Sequence, residues 1–343
     1  MGRGACSMQR RWTAAWGRPR CLRLAPLIIT TTFILGTPTA SAIEGTTAAG
    51  PVGGSDVRVA LLPPPGFYGG ISFFAGNAPR LVDGNGRDFP GLSPHFTLKA
   101  AAPFFLYVPD VKVFGGSIGG CGVAPYGAEC GRFLATQPWA CAWGAGDPYF
   151  EIGWWRYFGT PRPSRVPGSF PILEGLAVSA GIGAVFPVGQ YNVAQVTQQG
   201  IGVGNNIFDI APSVGITYTT PPIIAEATEI SAKVYWNMYG INSATQYQAA
   251  DFITVDFAVT ERYGRFQLGV TGTSAFQFAD DKQFGVKVPP DGRRSEVLLL
   301  GGVFVYDMPE YAMSAKIKAV TSVIAANAVR SQTMTISFIK KLD

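Results

Sequence analysis

Histidine is nearly missing from this chain: its 343 residues include one, His95. That all but removes metal sites and catalytic triads built on imidazole. Charge is also scarce, at 14% of residues, where an ordinary soluble domain carries about 25%. No apolar run after residue 43 reaches the roughly 20 residues that a helical bilayer span needs. Cysteine is limited to five residues, and the first 42 positions hold no acidic residue. Glycine and proline, by contrast, are abundant at 43 and 26, which argues against a helical bundle and for strands joined by turns. The hydrophobic content of 47% is too high for a disordered chain.

The formal charge of +5 is an N-terminal effect. Residues 1–42 contain Arg3, Arg10, Arg11, Arg18, Arg20 and Arg23, leaving 21 basic against 22 acidic residues in the remainder. Nothing there resembles the clustered basic face that binds nucleic acid. The basic stretch leads into the short apolar run Leu24–Leu35 and then Ala40-Ser41-Ala42, the small-x-small pattern of a signal-peptidase site. The expected organisation is a cleaved signal peptide over 1–42, a Pro/Gly-rich lead over 43–66 and one structural unit over 67–343. Export permits disulfides. Of the cysteines that remain, Cys121 and Cys130 are expected to pair as a loop staple, leaving Cys141 over, although spacing alone does not fix connectivity.

The mature chain alternates with period two. In 253–262 the apolar set is Ile253, Val255, Phe257 and Val259, and the polar set is Thr254, Asp256, Thr260 and Arg262. Segments 229–238 and 266–278 behave alike, which places one face in an apolar medium and the other in a wet one. About twelve strands are expected, beginning near Phe67, Leu98, Val111, Tyr149, Leu176, Ile210, Glu229, Phe252, Phe266, Val297, Ala312 and Thr333. The first three and the one at Val297 alternate poorly. Tight turns near Asp110, Gly264 and Pro309 fall on one side. The long segments 117–147, 187–209 and 281–295 fall on the other. This asymmetry, with strands of about ten residues and aromatic residues near their ends, predicts an all-β fold: an antiparallel transmembrane β-barrel with short periplasmic turns and long external loops. A soluble exported β-sandwich would also alternate.

From residue 104 onward the chain resembles the phenol meta-pathway degradation family of bacterial outer-membrane β-barrels. The blocks that carry the resemblance include Tyr107–Gly116, Gly146–Tyr149, Phe186–Tyr191, Gly204–Phe208 with Pro212–Tyr218, Glu229–Ser231 and Asn242–Asp251. The resemblance implies an outer-membrane location, insertion by the barrel-assembly machinery and passive passage of small, apolar or aromatic molecules. Phe208 and the non-aromatic C-terminus Leu342-Asp343 depart from the family pattern.

No constellation points to an enzyme, a cofactor or a metal. His95 stands beside Ser93 in a loop-like stretch, too close in sequence to form a triad with it. Asp280, Asp281 and Asp291 match no calcium-loop spacing, and Gly200–Gly204 opens no helix of the phosphate-loop kind. The candidate lumen-lining residues are Glu229, Lys233, Tyr235, Asn237, Asp256, Arg262, Gln267, Thr271, Thr273 and Gln277. They could line an open path or form a plug. Structural or adhesive roles for the barrel remain the alternative to transport.

Overall fold

A computed structural model describes residues 55–343; the signal-peptide expectation for 1–42 lies outside the described residues. Twelve long antiparallel strands form the wall. They are β1 (Gly66–Val82), β2 (His95–Val108), β3 (Gly116–Val123), β4 (Tyr149–Arg162), β5 (Ile172–Val185) and β6 (Asp209–Thr219), followed by β7 (Ala227–Tyr239), β8 (Phe252–Tyr263), β9 (Phe266–Gln277), β10 (Glu296–Met308), β11 (Met313–Ala326) and β12 (Ala328–Lys341). Each pairs with the next, and β12 pairs with β1 from Tyr68↔Lys341 to Val82↔Ala328. That closure leaves no edge among the twelve and rules out the two-sheet sandwich.

The alternation seen in the sequence is the lipid–lumen alternation of the wall. On β8, Thr254, Asp256, Thr260 and Arg262 are buried while Ile253, Val255 and Val259 face outward. Outward Val214, Ile230, Leu268 and Val270 are about half exposed, as side chains meant for lipid must be. The turns also sort as expected. Tyr263 and Phe266 pair across Gly264-Arg265, where Gly264 takes φ 56°, a left-handed value that costs glycine little. Asn327 is an exception, because β11 and β12 are joined by a tight turn on the side of the long loops.

Three expectations are corrected. First, segment 117–147 is not all loop, since Gly116–Val123 is a wall strand pairing with both β2 and β4. Its glycines conceal it: a side chain at Gly122 would meet the rings of Phe105 and Phe150 at 2.6 Å, so the strand carries little alternation to read. Second, the disulfide is Cys130–Cys141, and Cys121 is free. Cys130 and Cys141 face each other across a hairpin formed by Tyr126–Arg132 and Ala140–Ala145, with Cα atoms 4.0 Å apart. Cys121 sits in β3, opposite Leu106 and Glu151. Third, of the aromatic residues near strand ends expected to form an outer girdle, Trp155 and Tyr157 belong to the lumen: Trp155 donates to Val59 O, and both line the central cavity, as does the lumen candidate Tyr235.

The disulfide hairpin pairs with the outer half of β2. At this height the outward row is polar, with Asn77 opposite both Thr97 and Gln332. The hairpin from Glu129 outward therefore stands above the hydrocarbon layer, while its base at Tyr126 is level with outward Phe73.

Candidate functional site

The lumen is occupied on one side by the chain itself. Residues 55–65, just before β1, run along the inner wall and bond to eight of its strands. Ser55 Oγ donates to Asp256 Oδ2 at 2.6 Å and accepts from Tyr235 Oη at 2.9 Å. Asp56, fully buried, receives Lys316 Nζ at 2.9 Å, Lys318 Nζ at 3.0 Å and Thr271 Oγ1 at 2.7 Å. Arg58 grips Asp307 through both terminal nitrogens at 3.0 and 2.8 Å, and its backbone N–H donates to Glu229. The N–H of Ala60 donates to Thr217.

All ten residues singled out in the sequence are buried. Glu229, Tyr235, Asp256 and Thr271 hold the lumen segment, and Thr273 supports Asp256 at 2.7 Å. Lys233 instead pairs with Glu151 on β4 at 2.5 Å, where Tyr149 Oη also donates to Glu151. Arg262 donates to the carbonyls of Phe170 and Pro171 and lies 3.7 Å from Asp307. Asn237 and Gln267 bond within the wall, to Thr254 and Thr260. Gln277 reaches up to loop residue Asp281. Sequence reasoning missed Asp56, Arg58, Glu151, Asp307, Lys316 and Lys318. The opposed charges of Asp56 and Arg58, in a lead otherwise poor in charge, were the available signal.

The opposite side of the lumen is different in kind. A cavity of about 1560 Å³ runs from Val196 and Ile201 in an external loop to Ala312 and Lys341 at the periplasmic end. Its wall includes Phe74 of β1 and Leu98, Ala100, Phe104 and Leu106 of β2, with Pro63–Pro65 facing them. Leu98 points inward yet keeps 42% of its surface, because open space rather than protein lies against it. The ring of Phe104 fits only because Gly70 lacks a side chain, whose Cβ would lie 2.2 Å from it.

The loop between β5 and β6 covers the outer mouth. It carries the helix Val193–Gln199, and Ile201 packs, fully buried, with Phe96, Phe133 and Ala142. Asp147 accepts the N–H groups of Gly189 and Asn205, and Glu129 of the disulfide hairpin accepts that of Gly202 at 3.0 Å. Burial pushes the Glu129 carboxyl up to about 7, with only the Gly202 N–H acting against it. The closed loop thus binds a proton that the open one releases, so its stability falls as pH rises from the ordinary carboxylate range through about 7. Amide exchange over residues 200–204, corrected for intrinsic rates, is expected to show more frequent opening above that range than below it. A pH-independent opening free energy would refute this account.

The other sequence candidates are structural. His95 opens β2 and bonds to Asn77 at 2.8 Å. Asp280 pairs with Lys287 and Arg294, whereas Asp281 is buried against Tyr247 and Gln277, so the two carboxylates do not converge. Among the described residues no group of three His, Cys, Asp or Glu could hold a metal ion.

A closed twelve-strand barrel with a lipid-facing apolar surface and a wet, charged interior is an outer-membrane β-barrel. The chain belongs to the family described as "Putative MetA-pathway of phenol degradation", whose model matches residues 78–338. Its fold is similar to that of the COG4313 outer membrane channel from Pseudomonas putida F1, with TM-score 0.66 at 10% identity over 82% of this chain and 97% of that one. A looser likeness, TM-score 0.38 at 10% identity, covers 89% of this chain and 98% of the Ralstonia pickettii toluene transporter TbuX. No curated protein sequence matches the chain.

Proposed function

We propose that the protein gives small apolar molecules, aromatic ones among them, passive passage across the outer membrane. The path is the cavity between the lumen segment and the inner faces of β1 and β2. The observation that carries this reading is the apolar lining of a space that reaches from the external loop to the periplasmic end. A charged lumen would suit ions or sugars. Here most of the lysines and arginines in the lumen pair with acids of the wall or of the lumen segment, and the wall along β1 and β2 that is left to the solute is mainly apolar. The family description, which concerns phenol degradation, fits aromatic cargo. In this reading the chain is a conduit rather than an enzyme, and the barrel-assembly machinery inserts it.

Proteoliposome uptake of toluene and benzyl alcohol tests the proposal. Wild type should accelerate entry over protein-free vesicles. Ala100→Trp, which fills the cavity from β2, should slow it at least about tenfold, a steric loss of roughly 1.4 kcal/mol, while heat-modifiable migration on gels is kept. A correctly folded wild type that accelerates neither solute would leave a structural or adhesive barrel as the better reading.

A further inference from the structure

The disulfide hairpin brings one feature that the conduit reading does not use. Its register places Glu129 between Leu98 of β2 and Ala142 on the same inward-facing row. Glu129 lines the cavity near its outer end, below Ile201 and Gly202 of the covering loop. Its Oε2 accepts the Gly202 N–H. Among the described residues no Lys or Arg forms an ion pair with it, whereas Asp56, Glu151 and Asp307 each have a cation within 3.0 Å. An uncompensated carboxylate beside apolar side chains is costly. A ligand that brings a positive charge removes that cost and gains a charge-assisted hydrogen bond.

We propose that Glu129 and Leu98 form a recognition subsite for apolar solutes carrying an ammonium group. The ammonium donates to the free carboxylate oxygen, and the hydrocarbon part lies against the open face of Leu98. The site rests on reading the cavity as a solute path, but it makes a separate claim about selectivity. Anionic solutes of the same size are disfavoured there by the same carboxylate.

Calorimetric titration of the full-length protein in detergent micelles, with benzylamine, benzyl alcohol and benzoate as probes, tests binding without requiring transport. At about pH 8, where Glu129 is ionised, benzylamine should bind about tenfold or more tighter than benzyl alcohol, as expected of a charge-assisted contact in an apolar site. Glu129→Gln keeps the shape and an acceptor for Gly202, and should bring the two probes to parity. Glu129→Asp should retain part of the preference, which guards against reading misfolding as loss of the site. The preference should also shrink as pH falls through about 7, where burial has placed the carboxyl, with benzylamine remaining protonated. Equal binding of the two probes by wild type, or an undiminished preference in Glu129→Gln, would overturn the subsite. Preference in binding without liposome uptake of any probe would support the subsite and sink the conduit reading instead.

Discussion

Replacing Asp56 with Ala is expected to unseat the lumen segment and open the barrel. Asp56 is fully buried and is the shared anion of Lys316 and Lys318. Removing one partner of a buried ion pair costs about 3–5 kcal/mol, and here two ammonium groups share the carboxylate that is removed. The wall does not bear that loss, because its twelve strands close through backbone ladders that leave Asp56 out. The cost falls on docking of residues 55–65. Once undocked, the segment no longer screens the lumen. Single-channel conductance in planar bilayers should rise, amide protection over residues 57–62 should collapse, and heat-modifiable migration should stay as in wild type. Asp56→Asn keeps part of the hydrogen bonding and should lie between the two. A segment as well protected in Asp56→Ala as in wild type would show that Arg58 and Asp307 suffice to hold it.

The strands that the sequence concealed are those beside the cavity. Where β7, β8 and β9 face the lumen segment, they meet charge and hydroxyl groups, so their inward rows are polar and period two is plain. On β2 the inward row contains Phe96, Leu98, Ala100, Ala102, Phe104 and Leu106. It faces an apolar space while the outward row faces lipid or its interface, and alternation fades. On β10, inward Val303 and Val305 are buried, with the same effect. Poor alternation at Phe67, Leu98 and Val297 is therefore a property of the lining rather than a weakness of the strand reading, whereas the strand expected near Val111 begins at Gly116 and is concealed by its glycines. The ion pairs were less legible. Lys233 has Glu229 on its own strand and Asp256 directly across on β8, but its partner is Glu151, 82 residues away on β4. Closure of the barrel sets that distance, and a list of strands does not contain it. Cys130 and Cys141 were missed for a related reason, because the hairpin that aligns them is an extension of β2 rather than a stave of its own.

The two faces of β9 should fail in different ways when each receives a charge. Val270 points outward, is 58% exposed and lies between Val259 and Gly302 on neighbouring strands. Arginine there meets hydrocarbon and should destabilise the inserted barrel by about 2–4 kcal/mol if the site is near the midplane, measured by urea unfolding from lipid vesicles. Thr271, the next residue, is a candidate lumen position, where arginine is ordinarily tolerated. The structure replaces that expectation. Thr271 is completely buried and donates to Asp56 Oδ2 at 2.7 Å, within the cluster that holds Lys316 and Lys318. Arginine at 271 has neither room nor a free anion, so it should expel the lumen segment. Thr271→Arg is thus expected to raise conductance as Asp56→Ala does, with the wall's unfolding midpoint little changed. Val270→Arg should lower that midpoint and leave conductance per inserted channel as in wild type. Equal loss of barrel stability in both variants, with no rise in conductance for Thr271→Arg, would contradict both the assignment of the faces and the placement of residues 55–65 in the lumen.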